Sequence, residues 1–202
     1  MARTLIGGIV AGLIIFVLGY IFWATPLGDI PFKTAGDAQN AAVQTALAQN
    51  LTPTGNGAYI IPAHHSAEGA VLYGKGPIAT VYFNTKGFSP DDMSMILPGF
   101  IVALVSGLLM AFGLAAVGGG GRSFANLARL VVLFSLSFTV WEYLGSPIFN
   151  HFDWGYWIYA FIAESVSLIV AGLVVARWFM PRGYVAASVA TTVSEPPAAT
   201  EE

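Results

Sequence analysis

Two glutamates stand inside otherwise apolar runs. Glu142 lies near the end of the run over residues 124–145, and Glu164 lies within the run over residues 156–179. An ionised side chain at the centre of a bilayer costs about 3 kcal/mol on insertion scales. Each carboxyl could therefore be protonated through burial, share a proton, bind a cation or face a base on a partner, and Glu142 is also shallow enough to reach interfacial water. The nearest bases, Arg129 and Arg177, stand at the opposite ends of the same runs. His151 and Asp153 fall in the connection between the two runs. A cluster of Glu142, Glu164, His151 and Asp153 could hold a divalent ion or relay protons. A plainer role is also open. Ser135, Thr139, Glu142 and Ser146 recur at helical spacing on one face, and Glu164 could hydrogen-bond to Ser135 or Thr139.

The second grouping with chemical potential is His64-His65-x-x-Glu68. On a helix, His64 and Glu68 would share a face. Two ligands are too few for a metal site without contributions from elsewhere, and the stretch lies between Pro62 and Gly69, where a loop is expected. No Ser/His/Asp spacing, zinc-protease helix or nucleotide fingerprint is present. No cofactor and no enzymatic activity are expected. The 119-GG-120 stretch and its glycine neighbours precede Arg122 and Ser123 without the lysine or the strand of a phosphate loop. They are expected to form a turn, with Ser123 capping the helix that follows.

The elements that must position these groups are set by composition. Of 202 residues, 56% are hydrophobic and 9% charged. A soluble domain carries about 25% charged residues, so the chain lacks the polar surface to cover a water-soluble globule. That composition argues against a soluble enzyme and a disordered protein. Eight Lys and Arg against eleven Asp and Glu leave a net charge of −3, with no basic patch for nucleic acid. There is no cysteine, which removes disulfides, thiolate metal sites and cysteine catalysis.

A membrane-spanning helix needs about 20 mostly apolar residues. Residues 5–23, 95–117, 124–145 and 156–179 qualify. The first is too long for the core of a cleavable signal and is expected to be an uncleaved signal anchor. Arg3, Arg122, Arg129, Arg177 and Arg182 fall on one side if both termini are cytoplasmic, and the loop over 146–155 then lies outside with no Lys or Arg. Tyr20, Trp23, Trp141, Tyr143, Trp154, Tyr156, Trp157 and Tyr159 gather toward the expected outer interface, and Trp178 and Phe179 toward the inner one. With these ends, Glu142 sits about 6 Å and Glu164 about 12 Å below the outer boundary.

The expected fold is an all-α membrane protein: a four-helix transmembrane bundle with a small α+β extracytoplasmic domain between spans one and two. The divisions are the anchor over residues 1–25, the insert over 26–94, the remaining spans over 95–180 and a disordered cytoplasmic tail over 181–202. Within the insert, residues 35–50 are expected to be helical, capped by Thr34 with Asp37 three positions on. Residues 58–61 and 78–83 are expected strands. Ser89, Pro90, Asp91 and Asp92 resemble the cap and acidic first turn of a helix leading into span two. Gly99, Ala103, Gly107, Ala111 and Ala115 recur every four residues along span two. Such a small-residue ridge lets another helix approach closely, from the same chain or from another subunit. Gly8, Gly12 and Gly19 in span one, and Ala163, Ser167 and Ala171 in span four, offer similar faces.

The anchor, the insert with Tyr59-Ile60-Ile61-Pro62, Gly76-Pro77, Val81-Tyr82 and Gly87, and the Met93-Ser94-Met95 entry into three further spans resemble a group of small bacterial inner-membrane proteins of unknown function. The resemblance implies a bacterial inner membrane and carries no activity or site residues. The function expected is non-enzymatic: an accessory or assembly subunit of a larger membrane complex, with the bilayer and a membrane protein or a second copy as partners. The alternative is a small proton- or cation-coupled transporter or channel using Glu142 and Glu164.

Overall fold

A computed structural model describes residues 1–89, 92–118 and 121–180. The expected tail with Arg182, the glycines 119–120 and the Pro90–Asp91 part of the cap lie outside the described residues. The described residues divide into two compact units, one from 1–31 with those from 99 to 180, the other from 32–98.

The first unit is helical. It contains α1 (Ala2–Trp23), the body of α4 (Ile96–Gly118), α5 (Phe124–Thr139), α6 (Gly145–Asn150) and α7 (Trp154–Val174). Four continuous helical stretches, Ala2–Trp23, Met93–Gly118, Phe124–Asn150 and Trp154–Phe179, are long and apolar enough to cross a membrane. Two of them include π-helical turns, Val140–Leu144 between α5 and α6, and Val175–Phe179 at the end of the stretch that α7 begins.

Small residues decide how these helices meet. A side chain on Gly107 would run into the backbone of Gly8 and Gly12. A Cβ on Gly8 would come within 2.8 Å of the Leu108 Cα, and one on Gly12 within 2.7 Å of the Leu104 Cα. Further along, the rings of Phe16 and Phe100 meet edge to face at 5.3 Å. These three levels run in opposite directions along the two chains, so α1 and α4 are antiparallel and nearly backbone to backbone. Of the expected ridge, Ala103, Gly107 and Ala111 are buried and Ala115 is half-buried. Gly99 is exposed with nothing near its Cβ position, and Gly19 likewise faces open space. Gly172 of α7 plays the same part against α5, where a Cβ would lie 2.6 Å from Val131 Cγ1.

The core is built mostly of alanine, with Leu114, Leu127, Val131, Val175 and Met180 as its larger members. The bulky apolar side chains point the other way. Leu109, Leu133, Phe134 and Trp141 are each about two-thirds exposed or more. Dense packing of small groups inside and large apolar groups outside inverts the soluble pattern and is the distribution expected where lipid tails are the solvent.

The second unit holds α2 (Asp37–Leu51), β1 (Gly57–Ile61), α3 (Ala67–Lys75) and β2 (Ala79–Phe83). The strands pair antiparallel, with Gly57 opposite Phe83 and Ile61 opposite Ala79. They form a two-stranded sheet. Asn56 closes the open end of the hairpin, accepting from the Thr85 N–H at 2.9 Å and the Thr85 hydroxyl at 3.0 Å. Two details differ from expectation. The cap of α2 is Gly36, with no side-chain hydrogen bond, instead of Thr34. The chain turns into the helix two residues later than expected, which leaves Asp37 at the first helical position. The helix α3 was not foreseen. Ser66 caps it by accepting from the Gly69 N–H at 3.0 Å, Glu68 lies in its first turn and Lys75 in its last.

Candidate functional site

The two glutamates belong to different environments. Glu164 is half-buried on α7, and Trp23 Nε1 at the end of α1 donates to its Oε1 at 3.3 Å. One turn before it on α7, the Tyr159 hydroxyl donates to the Phe22 carbonyl at 2.6 Å. The Trp23 ring lies 5.3 Å from Tyr159 and 5.9 Å from Tyr156. These contacts pin the C-terminal end of α1 to the N-terminal half of α7. The indole N–H would be an orphan donor in an apolar setting, and the carboxyl satisfies it. Among the described residues Glu164 has no ion pair.

Ser135 and Thr139 do not meet Glu164. The Thr139 hydroxyl is fully buried and donates to the Ser135 carbonyl at 2.9 Å. Its single hydrogen is thereby used, so it accepts from the Ser165 hydroxyl 2.8 Å away. Ser165 thus faces α5, while its neighbour Glu164, about 100° further around the helix, faces α1.

Glu142 departs furthest from expectation. It is exposed, while Ser135 and Thr139 on the same stripe are buried. The reason is the π turn over Val140–Leu144. A wider turn rotates each residue through a smaller angle, so the spacing that would align Glu142 with Thr139 in an α-helix no longer does so. The register change has a local cause. Pro147 brings no N–H to the ladder, and the Ser146 hydroxyl donates to the Glu142 carbonyl at 2.8 Å. Asn150 Nδ2 then donates to the Ser146 carbonyl at 3.0 Å. The helix therefore runs on to Asn150, where a loop from 146 was expected.

The connection to α7 is His151–Asp153. His151 is exposed and holds a left-handed backbone with φ of 55°. Asp153 caps α7, accepting from the Gly155 N–H at 3.2 Å. Among the described residues no three His, Asp or Glu side chains are grouped to hold a metal ion. The cluster of Glu142, Glu164, His151 and Asp153 is not assembled in that form. In the second unit, His64 and His65 lie in the loop before α3. Their rings are 4.6 Å apart, and His64 meets the edge of Tyr73 at 5.2 Å. Glu68 is on the helix and His64 is not, so they share no helical face.

At the other end of the helices, Arg3 donates through Nε and Nη2 to the Trp178 carbonyl at 3.2 and 2.7 Å. A cation at a helix C-terminus satisfies free carbonyls and complements the helix dipole. Arg177 lies over the Phe124 ring at 5.8 Å. Sequence reasoning placed these arginines at one end without seeing that Arg3 fastens α1 to the last helix. The Trp23 partner of Glu164 was also missed. Its signal was available: a tryptophan closing one apolar run at the level where an acid interrupts another.

No protein-family model, curated protein or solved structure matches the chain.

Proposed function

We propose that the chain is an integral protein of a bacterial inner membrane that acts by interaction, as an accessory or assembly subunit of a larger membrane complex. The observation that carries this reading is Glu142: an exposed carboxyl on a helix long and apolar enough to span a bilayer, beside Trp141, which is 71% exposed. A lone acid on an apolar surface is costly in hydrocarbon and is relieved by a donor or base on a neighbouring helix. In this reading the small-residue ridge packs the chain's own helices, and the π-turn face of the third helix meets the partner. Both termini lie in the cytoplasm, supported by the gathering of Arg3 and Arg177 at one end of the helices. The segment between the first two spans, up to Asp92, lies outside.

The test is gentle extraction of the tagged chain with native mass spectrometry. A defined partner or a second copy should co-purify, and Glu142→Lys should release it while Glu142→Gln retains most of it. A strictly monomeric particle, or capture indifferent to Glu142→Lys, overturns the reading. Orientation is checked separately by single cysteines introduced into this cysteine-free chain.

A second reading, a proton- or cation-coupled transporter, is favoured by the absence of an ion pair at Glu164 among the described residues. Flux into liposomes that disappears in Glu142→Gln and Glu164→Gln would establish it.

A further inference from the structure

The sheet in residues 32–98 is open on both sides. It has two strands, and among the described residues no backbone hydrogen bond joins either strand to anything but the other. Alternate N–H and C=O groups of β2 therefore point away from β1 without a backbone partner. Isolated two-stranded sheets are marginal, and natural proteins blunt such edges with lysine, proline or a bulge. The β2 strand, Ala79-Thr80-Val81-Tyr82-Phe83, has none of these within it.

The same strand lines one side of a groove of 390 Å³, and α2 lines the other. Leu47 and Ala48 come from the helix; Val81, Tyr82 and Phe83 come from the strand. A strand edge facing a helix across an open groove has the hydrogen-bonding and side-chain requirements of strand addition. The edge supplies main-chain partners, and the groove takes every second side chain of the incoming segment. The groove carries one charge, Lys86, three residues beyond the end of the strand.

We propose that the β2 edge and α2 dock an extended segment of a partner protein, about five or six residues long, whose one charge is a carboxylate beside Lys86. The length follows from the five residues of β2. The carboxylate follows from charge complementarity with the groove's single cation. This deepens the interaction reading by naming the chemistry of a partner, and it rests on that reading.

The test uses the full chain in lipid nanodiscs and a fluorescein-labelled hexapeptide of alternating threonine and valine with a free C-terminal carboxylate. Anisotropy should show saturable binding. Peptide N-methylated at alternate residues cannot complete the ladder and should bind at least about tenfold more weakly. Ala48→Arg, on an exposed position of α2, should fill the groove and weaken binding about tenfold without touching the hairpin. Lys86→Ala, or amidation of the peptide, should weaken it about threefold. Absence of saturable binding, equal binding of the N-methylated peptide, or indifference to Ala48→Arg overturns the proposal. Efficient disulfide dimers of a Tyr82→Cys chain would assign the edge to a second copy and overturn it too. Partner capture that depends on Glu142 while the peptide fails would show that the edge alone is misassigned.

Discussion

The two units obey different packing rules. In the helical unit, Gly8, Gly12, Gly107 and Gly172 sit where a methyl group would strike a neighbour. In residues 32–98, Gly69 is the buried residue among those described, and α2 buries none of its side chains. The contrast shows where each unit draws its order. The helices are held by contact with one another. The insert is held by its hairpin, its Asn56 clamp and its caps, and it leaves apolar groups such as Val43, Val71 and Phe88 exposed. A unit of this size with so little buried surface gains little from its own core.

Substitutions should separate the two sharply. The largest effect is expected at Gly107→Leu, which drives a side chain into the Gly8 and Gly12 backbone. A loss of about 3 kcal/mol is expected, read as a lowered unfolding midpoint in mild detergent. Wild-type stability there would dissolve the close α1–α4 approach. Next is Ser165→Ala, which leaves the buried Thr139 hydroxyl without its donor. About 1 kcal/mol is expected, measured by the same unfolding assay, with Ser165→Thr recovering part of it. In the insert, Val43→Ser on the exposed face of α2 should change stability by less than about 0.5 kcal/mol. A large loss there would mean that α2 is covered in the assembled protein, and would sharpen the contrast into an interface.

The smallest effect is a pH dependence at Asp92. Its carboxyl accepts from the Ser94 N–H at 2.9 Å, and this holds it below the usual carboxylate range. Because the folded value is depressed, the cap's contribution is complete above the ordinary carboxylate value and fades as pH falls through the lowered one. Amide exchange at Ser94 should accelerate, after correction for intrinsic rates, only at the acid end of a titration from pH 6 to pH 2. Asp92→Asn should flatten the profile.

The four long helices were legible because twenty apolar residues in a row have few other uses, and the Gly107 ridge because its spacing is regular. The two strands were legible from their β-branched and aromatic content. The face of Glu142 was not, because periodicity arguments assume one angular step per residue and the π turn changes that step. Pro147 was the available clue, since a proline within a helix removes a backbone donor from the ladder. The helix α3 was missed although Ser66, Glu68, Lys75 and Gly76 mark its two ends, because Gly69 and Gly74 lower its propensity and Pro62 with Gly69 pointed to a loop. The Trp23–Glu164 contact required knowing which helices are neighbours, and the spacing of residues along the chain does not contain that.

The bond from Arg3 to the Trp178 carbonyl joins residues 175 positions apart. Its consequence is temporal. A ribosome releases the first helix long before the last, so the glycine face of α1 must wait for α4 to shield it, and the Arg3 clasp stays open until the turn after α7 emerges. The β hairpin, by contrast, closes as soon as β2 is made. A stalled chain lacking its final helix would thus carry a finished insert and an unfinished bundle, the kind of half-built product that membrane quality control exists to remove.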